Sequence, residues 1–141
     1  MEFKVVTFTI GAEKYAIEIS NVESVVEMLP ITKIPDMPHG VEGVINLRGE
    51  VIPVIDGRKR LSSALEADET RKAQIVIIML NNKKYGLIVD QVNEVLDVNE
   101  QEAVGSKEVI NADTQCAEKI IKKGEQLVVL LKPSAILGQF A

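Results

Sequence analysis

Apolar and polar positions alternate along much of this chain with the two-residue period of half-buried strands. Val5 to Ile10 alternates around Thr7 and Thr9, Gly11-Ala12-Glu13-Lys14 reads as a turn, and Tyr15 to Ile19 as the returning strand. Ser20-Asn21-Val22-Glu23 then has capping-box spacing. Val25, Val26 and Leu29 follow at helical intervals, but the valines at 22, 25 and 26 favour a single capped turn running into another strand. Pro30 to Pro38 holds three prolines and little periodicity, so it reads as a stiff surface connection.

The sharpest pattern comes next. Val41 to Leu47 and Val51 to Asp56 are runs of β-forming residues flanking Arg48-Gly49-Glu50, a tight hairpin turn with Gly49 at a positive-φ position. Gly43 opens this hairpin and Asp56-Gly57 closes it. Pro53 inside the second run points to an edge strand or a bulge, because a central strand would miss its amide hydrogen. Asp56 is placed to cap a short helical piece through Leu61 and Leu65. Glu66 to Lys72, the most charged stretch, is the best mid-chain linker.

After the linker the pattern starts again. A shift of 70 places Lys14-Tyr15 on Lys84-Tyr85, Ile17 on Leu87, Val22 on Val92 and Val25 on Val95, with Ser20 on Asp90. A shift of 75 places Ile45 on Ile120, Arg48-Gly49-Glu50 on Lys123-Gly124-Glu125, and Val54 on Val129. Each half is of a size that is only marginally stable alone, so two small barrels sharing one core is the natural solution. Lys132-Pro133-Ser134 begins a short terminal helix whose apolar face is Ala135, Ile136, Leu137 and Phe140.

Composition narrows the function. With three Phe, two Tyr and no Trp, the core must be Val, Ile and Leu, which suits strands. A net charge of −5 disfavours nucleic acid and anionic membrane as partners, and Arg58-Lys59-Arg60 reads as a solvated loop or helix start. The lone Cys116 excludes an intrachain disulfide and suits a reducing compartment. The start lacks a signal-peptide pattern and the apolar runs are too short to span a bilayer, so a soluble, cytoplasmic protein without membrane insertion is expected.

Chemical motifs are scarce. Neither phosphate-loop nor dinucleotide glycine patterns occur, and neither Cys-x-x-Cys nor His-x-x-x-His spacing occurs, so no cofactor and no metal is indicated. His39 reads as a surface residue, and Ser62-Ser63 lacks a nearby base. Asp56, Asp90 and Asp97 follow strands, where a carboxylate commonly bonds backbone amides rather than acting as a general base. No catalytic residues are assigned. Recognition through exposed apolar side chains and orienting polar groups remains, with Arg48 at a hairpin tip able to fork onto a partner's carboxylate or carbonyls. The competing class is a ligand-binding or enzymatic barrel that uses the inter-barrel groove.

Gly43-Val44-Ile45-Asn46-Leu47-Arg48-Gly49 followed by Ile52-Pro53-Val54-Ile55-Asp56 resembles the signature of the CheW chemotaxis coupling proteins. Pro35, Pro38, Val41 and the run Val89-Asp90-x-Val92-x-Glu94-Val95 match as well, so the likeness covers nearly the whole chain. The resemblance implies an all-β fold of two pseudo-symmetric, five-stranded Src-homology-3-like β-barrels on a shared core, with short helical turns and a short C-terminal helix. It implies one domain over 1–141, with approximate halves 1–70 and 71–141 and terminal elements able to cross between them. It also implies a scaffold linking chemoreceptor cytoplasmic tips to the regulatory domain of the histidine kinase CheA, without catalysis.

Carried over by position, receptor binding would involve Val22, Ser24, Val25, Gly43, Asn46, Leu47 and Arg48, and kinase binding Val92 and Val95 on the second barrel. Two departures stand out. Relatives often carry an acidic residue where this chain has Ser24, and Asp-Leu where it has Asp56-Gly57, a change expected to loosen the hairpin's exit.

Overall fold

The computed structural model describes residues 2–37, 40–61, 73–105 and 116–137. His39, Ser62-Ser63, Leu65, the 66–72 linker and Phe140 lie outside the described residues. Eleven strands are seen: β1 (Glu2–Ile10), β2 (Glu13–Glu18), β3 (Val22–Glu27), β4 (Val41–Leu47), β5 (Glu50–Asp56), β6 (Gln74–Leu80), β7 (Lys83–Val89), β8 (Gln91–Asn99), β9 (Ala103–Gly105), β10 (Ala117–Lys123) and β11 (Gln126–Leu131). Short helices α1 (Gly57–Leu61) and α2 (Pro133–Leu137) follow β5 and β11. The strands form two sheets, ordered β8-β1-β2-β11-β10-β9 and β3-β6-β7-β5-β4, in two Src-homology-3-like barrels. The three-residue β9 makes the first sheet six-stranded rather than five-stranded.

Residue 70 is not the boundary between the sheets. β1 and β2 join β8 to β11, while β6 and β7 join β3 to β5, so the opening hairpin of each half sits in the sheet of the other. The exchange follows from burial on two faces. Along β6, Ile75 and Ile77 enter the cluster of Ile45, Ile52 and Val54 inside one barrel. Val76 and Ile78 point the other way, into a joint cluster with Phe8, Ile10, Ile17, Ile55, Leu87 and Ile136. A strand buried on both faces reads as an unbroken apolar run, as 75–80 does. The second barrel closes on Val5, Ala16, Val98, Ile121, Val128 and Leu130.

Strand pairing overlays the halves residue by residue. Phe8 faces Tyr15 as Ile78 faces Tyr85, which is the shift of 70 read from the sequence. The later hairpins differ from expectation, because Leu47 faces Glu50 and Lys123 faces Gln126, a shift of 76 and not 75. Both hairpins carry a bulge, after Val41 and after Ala117, that obeys the same shift. Burial agrees: Ile45, Ile52 and Val54 match the buried Ile121, Val128 and Leu130. Val51 and Leu127, 70% and 62% exposed, match each other.

Local details depart from the sequence reading in informative ways. The expected capped turn is a 3₁₀ turn, Ile19–Asn21, leading into β3, but no side chain caps it. The capping box lies instead at Asn99 and Glu102, before β9. Pro53 sits in a central strand, yet the parallel pairing of β5 with β7 begins only at Val54, so its missing amide hydrogen leaves no gap in the ladder. Gly57 does not loosen the hairpin exit: a Cβ there would meet the Ile88 carbonyl oxygen at 2.5 Å, so α1 packs tightly on β7.

Asp56, buried, accepts from the Arg58 amide at 2.9 Å, as a cap should. Asp90 accepts from the Gly11 amide at 2.6 Å. Arg58 is not solvated, because its guanidinium lies 3.3 Å from Asp56 and 3.9 Å from Asp90, tying the exit of β5 to the junction of β7 and β8. Asp97 lies within β8 rather than after a strand, and pairs at the surface with Lys4.

Candidate partner-binding surface

The candidate receptor residues fall on β3, on β4 and on the turn after it. β3 and β4 are the two terminal strands of the five-stranded sheet and are not ladder neighbours. The chain leaving β3 crosses to β4, where Thr32 and Val44 exchange two backbone hydrogen bonds of 2.8 and 2.9 Å. Val26, Leu29, Ile31 and Leu47 all pack on the same barrel core, so both edges rest on one rigid base.

Gly43 makes that crossing possible. It is buried at φ +155°, and a Cβ would lie 2.4 Å from the Thr32 carbonyl oxygen and 2.8 Å from the Ile31 side chain. It therefore shapes the surface from beneath and is not exposed for contact. Asn46 and Arg48 are exposed, and Leu47 is half-buried. The turn is Arg48-Gly49 alone, both at positive φ (53° and 86°), as in a type I′ hairpin turn. Arg48 is an unusual residue for that conformation, and the Asn46 side chain helps hold it by accepting from the Gly49 amide at 3.0 Å. The result holds Arg48 at the tip, where it makes no ion pair with any described residue.

Val25 is exposed at 37% and Val95 at 52%, whereas Val22 and Val92 pack against the joint core. Of the kinase candidates only Val95 is thus accessible, and the Val92 amide donates to the Gln74 side-chain oxygen at 2.7 Å. Ser24, between Val22 and Val25 on β3, is half-buried. No hydrogen bond or ion pair among the described residues joins β3 directly to Arg48. The link is Lys84 of β7, whose Nζ lies 2.9 Å from Glu23 Oε1 and 2.8 Å from Glu50 Oε1. Hydrogen bonds to Glu50 and then to Glu23 push the Lys84 ammonium's pKa up.

Sequence reasoning missed Lys84 and Val51. Val51 was discoverable, since Ile52 faces inward and alternation turns its neighbour outward. Lys84 carried no local signal.

Among the described residues no group of three His, Cys, Asp or Glu could hold a metal, and no helix is long and apolar enough to cross a membrane. Every buried side-chain nitrogen or oxygen among them has a partner. The fold is a double barrel that presents exposed apolar side chains and, among the described residues, an Arg48 guanidinium without an ion pair. The chain belongs to the CheW-like domain family, whose pattern matches residues 4–141. It is 36% identical over 137 residues to the chemotaxis protein CheW of Bacillus subtilis, covering 96% of this chain and 87% of that one. It is 32% identical over 141 residues to CheW of Thermotoga maritima, covering 98% and 89%. The crystal structure of the scaffolding protein TtCheW from Thermoanaerobacter tengcongensis superposes with a TM-score of 0.83 at 37% identity, over 94% of this chain and 90% of that one.

Proposed function

We propose that this chain is a chemotaxis adaptor that couples the cytoplasmic tips of chemoreceptors to the regulatory domain of the histidine kinase CheA, and performs no catalysis itself. The observation that carries this reading is the β4–β5 hairpin tip. It presents Arg48 without an ion pair to any described residue, on the same hairpin as exposed Val51, in a chain of the CheW-like family. The receptor docks against this tip and β3, including Val25 and Ser24, while Gly43 and Leu47 hold the surface from below. The kinase docks on the second barrel at Val95, with Val92 supporting that strand. Holding both partners at once raises their local concentration and lets the receptor's state bias the kinase.

Titration calorimetry with a purified receptor-tip fragment and the kinase regulatory domain tests this. Arg48→Ala should weaken receptor binding about tenfold, roughly 1.4 kcal/mol, while kinase affinity and melting temperature stay unchanged. The absence of any complex at tens of micromolar would sink the proposal.

A further inference from the structure

We infer that Lys84 is a positioning residue of the proposed receptor surface: it sequesters Glu23 and Glu50, ties β3 to the β4–β5 hairpin, and so leaves the Arg48 guanidinium free for an acidic or carbonyl-bearing partner face. The inference rests on the receptor reading above. Its geometric basis is one ammonium within hydrogen-bond reach of two carboxylates on two different strands, at 2.9 and 2.8 Å. An ammonium has three donors, so both contacts are satisfied at once.

Charge makes the contact more than a brace. Three charges meet here, Glu23, Glu50 and Lys84, and Arg48 lies two residues before Glu50 at the hairpin turn. With Lys84 engaged, one ammonium is shared between the two carboxylates and holds both away from the turn, and Arg48 makes no ion pair with any described residue. Without Lys84, Glu50 stands two residues from Arg48 across a tight turn, where it competes for the guanidinium. Glu23 would then repel an acidic partner from the β3 side.

The second barrel argues that the fold does not need this clamp. By the shifts that superpose the halves, Lys84 corresponds to Lys14, Glu23 to Asn93 and Glu50 to Gln126. Both carboxylates are amides there, and Lys14 makes no ion pair with any described residue, yet the strands pair in the same register. Among the described residues the clamp occurs only in the barrel that bears Arg48.

The experiment compares the whole chain with Lys84→Met, Lys84→Arg and the double variant Lys84→Met/Glu50→Gln. Receptor-tip affinity, melting temperature and the Arg48 Nε–H nuclear magnetic resonance signal of the free protein are measured for each. Lys84→Met should lower affinity about fivefold at low salt and less at 0.15 M salt, with melting within about 2 °C of the parent. Its Arg48 signal should move to an ion-paired position. Lys84→Arg should bind like the parent, and Glu50→Gln in the Met background should restore affinity to within about twofold. An Arg48 signal or an affinity unmoved by Lys84→Met overturns the inference. A parent chain that binds no receptor tip overturns the receptor reading and the recognition role with it, and the Arg48 signal then decides the clamp alone.

Discussion

The β4–β5 and β10–β11 hairpins are the same piece of architecture built with different local detail. Both have the same bulge, the same inward positions and the same outward apolar position, Val51 or Leu127. They differ at three points. The first turns through Arg48 and Gly49, both at positive φ, and the second through Gly124-Glu125 with only Gly124 there, at 64°, as in a type II′ turn. Gly43 in the first corresponds to Lys119 in the second, whose ammonium lies over the Phe3 ring. Pro53 corresponds to Val129, which adds a residue of parallel pairing, to Tyr15. The shared framework belongs to folding, and the differences concentrate where the first barrel admits a crossing strap and raises an arginine.

The comparison breaks most readily at Gly43. Gly43→Asp should destabilise the chain by about 3 kcal/mol in urea unfolding, because a Cβ collides with the Thr32 carbonyl and a carboxylate is buried beside apolar groups. The matching Lys119→Ala should cost about 0.5 kcal/mol, and equal costs at the two positions would refute the asymmetry.

Turn chemistry offers a finer test. Nothing lies within 4 Å of a Cβ at Gly49 or Gly124, so only backbone conformation is at stake. Gly49→Asn should cost under about 0.5 kcal/mol, since asparagine tolerates the left-handed position of a type I′ turn, whereas Gly124→Asn should cost about 1 to 2. Thermal melts of the two variants would separate the turn types.

The smallest expected effect concerns acid. Glu102 has its pKa lowered, first by the Asn99 amide and then by Lys123, so the fold favours its ionised form. That contribution is present at neutral pH and is lost as pH falls through the carboxylate range, below about 4. Amide exchange near β9 should quicken there, and the Thr32–Val44 bridge, its counterpart in the first barrel, should not follow; Glu102→Gln should remove the pH dependence.

The strands, the hairpins and the internal repeat were legible because β-branched alternation and glycine turns are local signals. The shift of 75 was a trap of the same locality. Arg48-Gly49-Glu50 and Lys123-Gly124-Glu125 look alike in letters, but aligning their glycines ignores turn type, and one residue of slip turns every side chain to the other face. Ile120 and Leu127 then appear as core, although Leu127 is exposed. The exchange of hairpins was illegible because alternation says which face is buried and not which strand lies alongside. At the candidate surface the tip residues could be read from the motif. The burial of Gly43 and the reach of Lys84 depend on segments that approach only in three dimensions.

The crossed hairpins have a consequence for synthesis. β1 pairs residue 2 with residue 99, and β3 pairs with β6 rather than with any strand of its own half. The opening hairpin therefore emerges from the ribosome long before the strand that completes its outer edge, and β3 to β5 wait for β6 and β7. The sheet of β3 to β7 has all its strands once Val89 is made, whereas the sheet that holds β1 and β2 waits for β11 at Leu131, so the sheet begun first should be completed last.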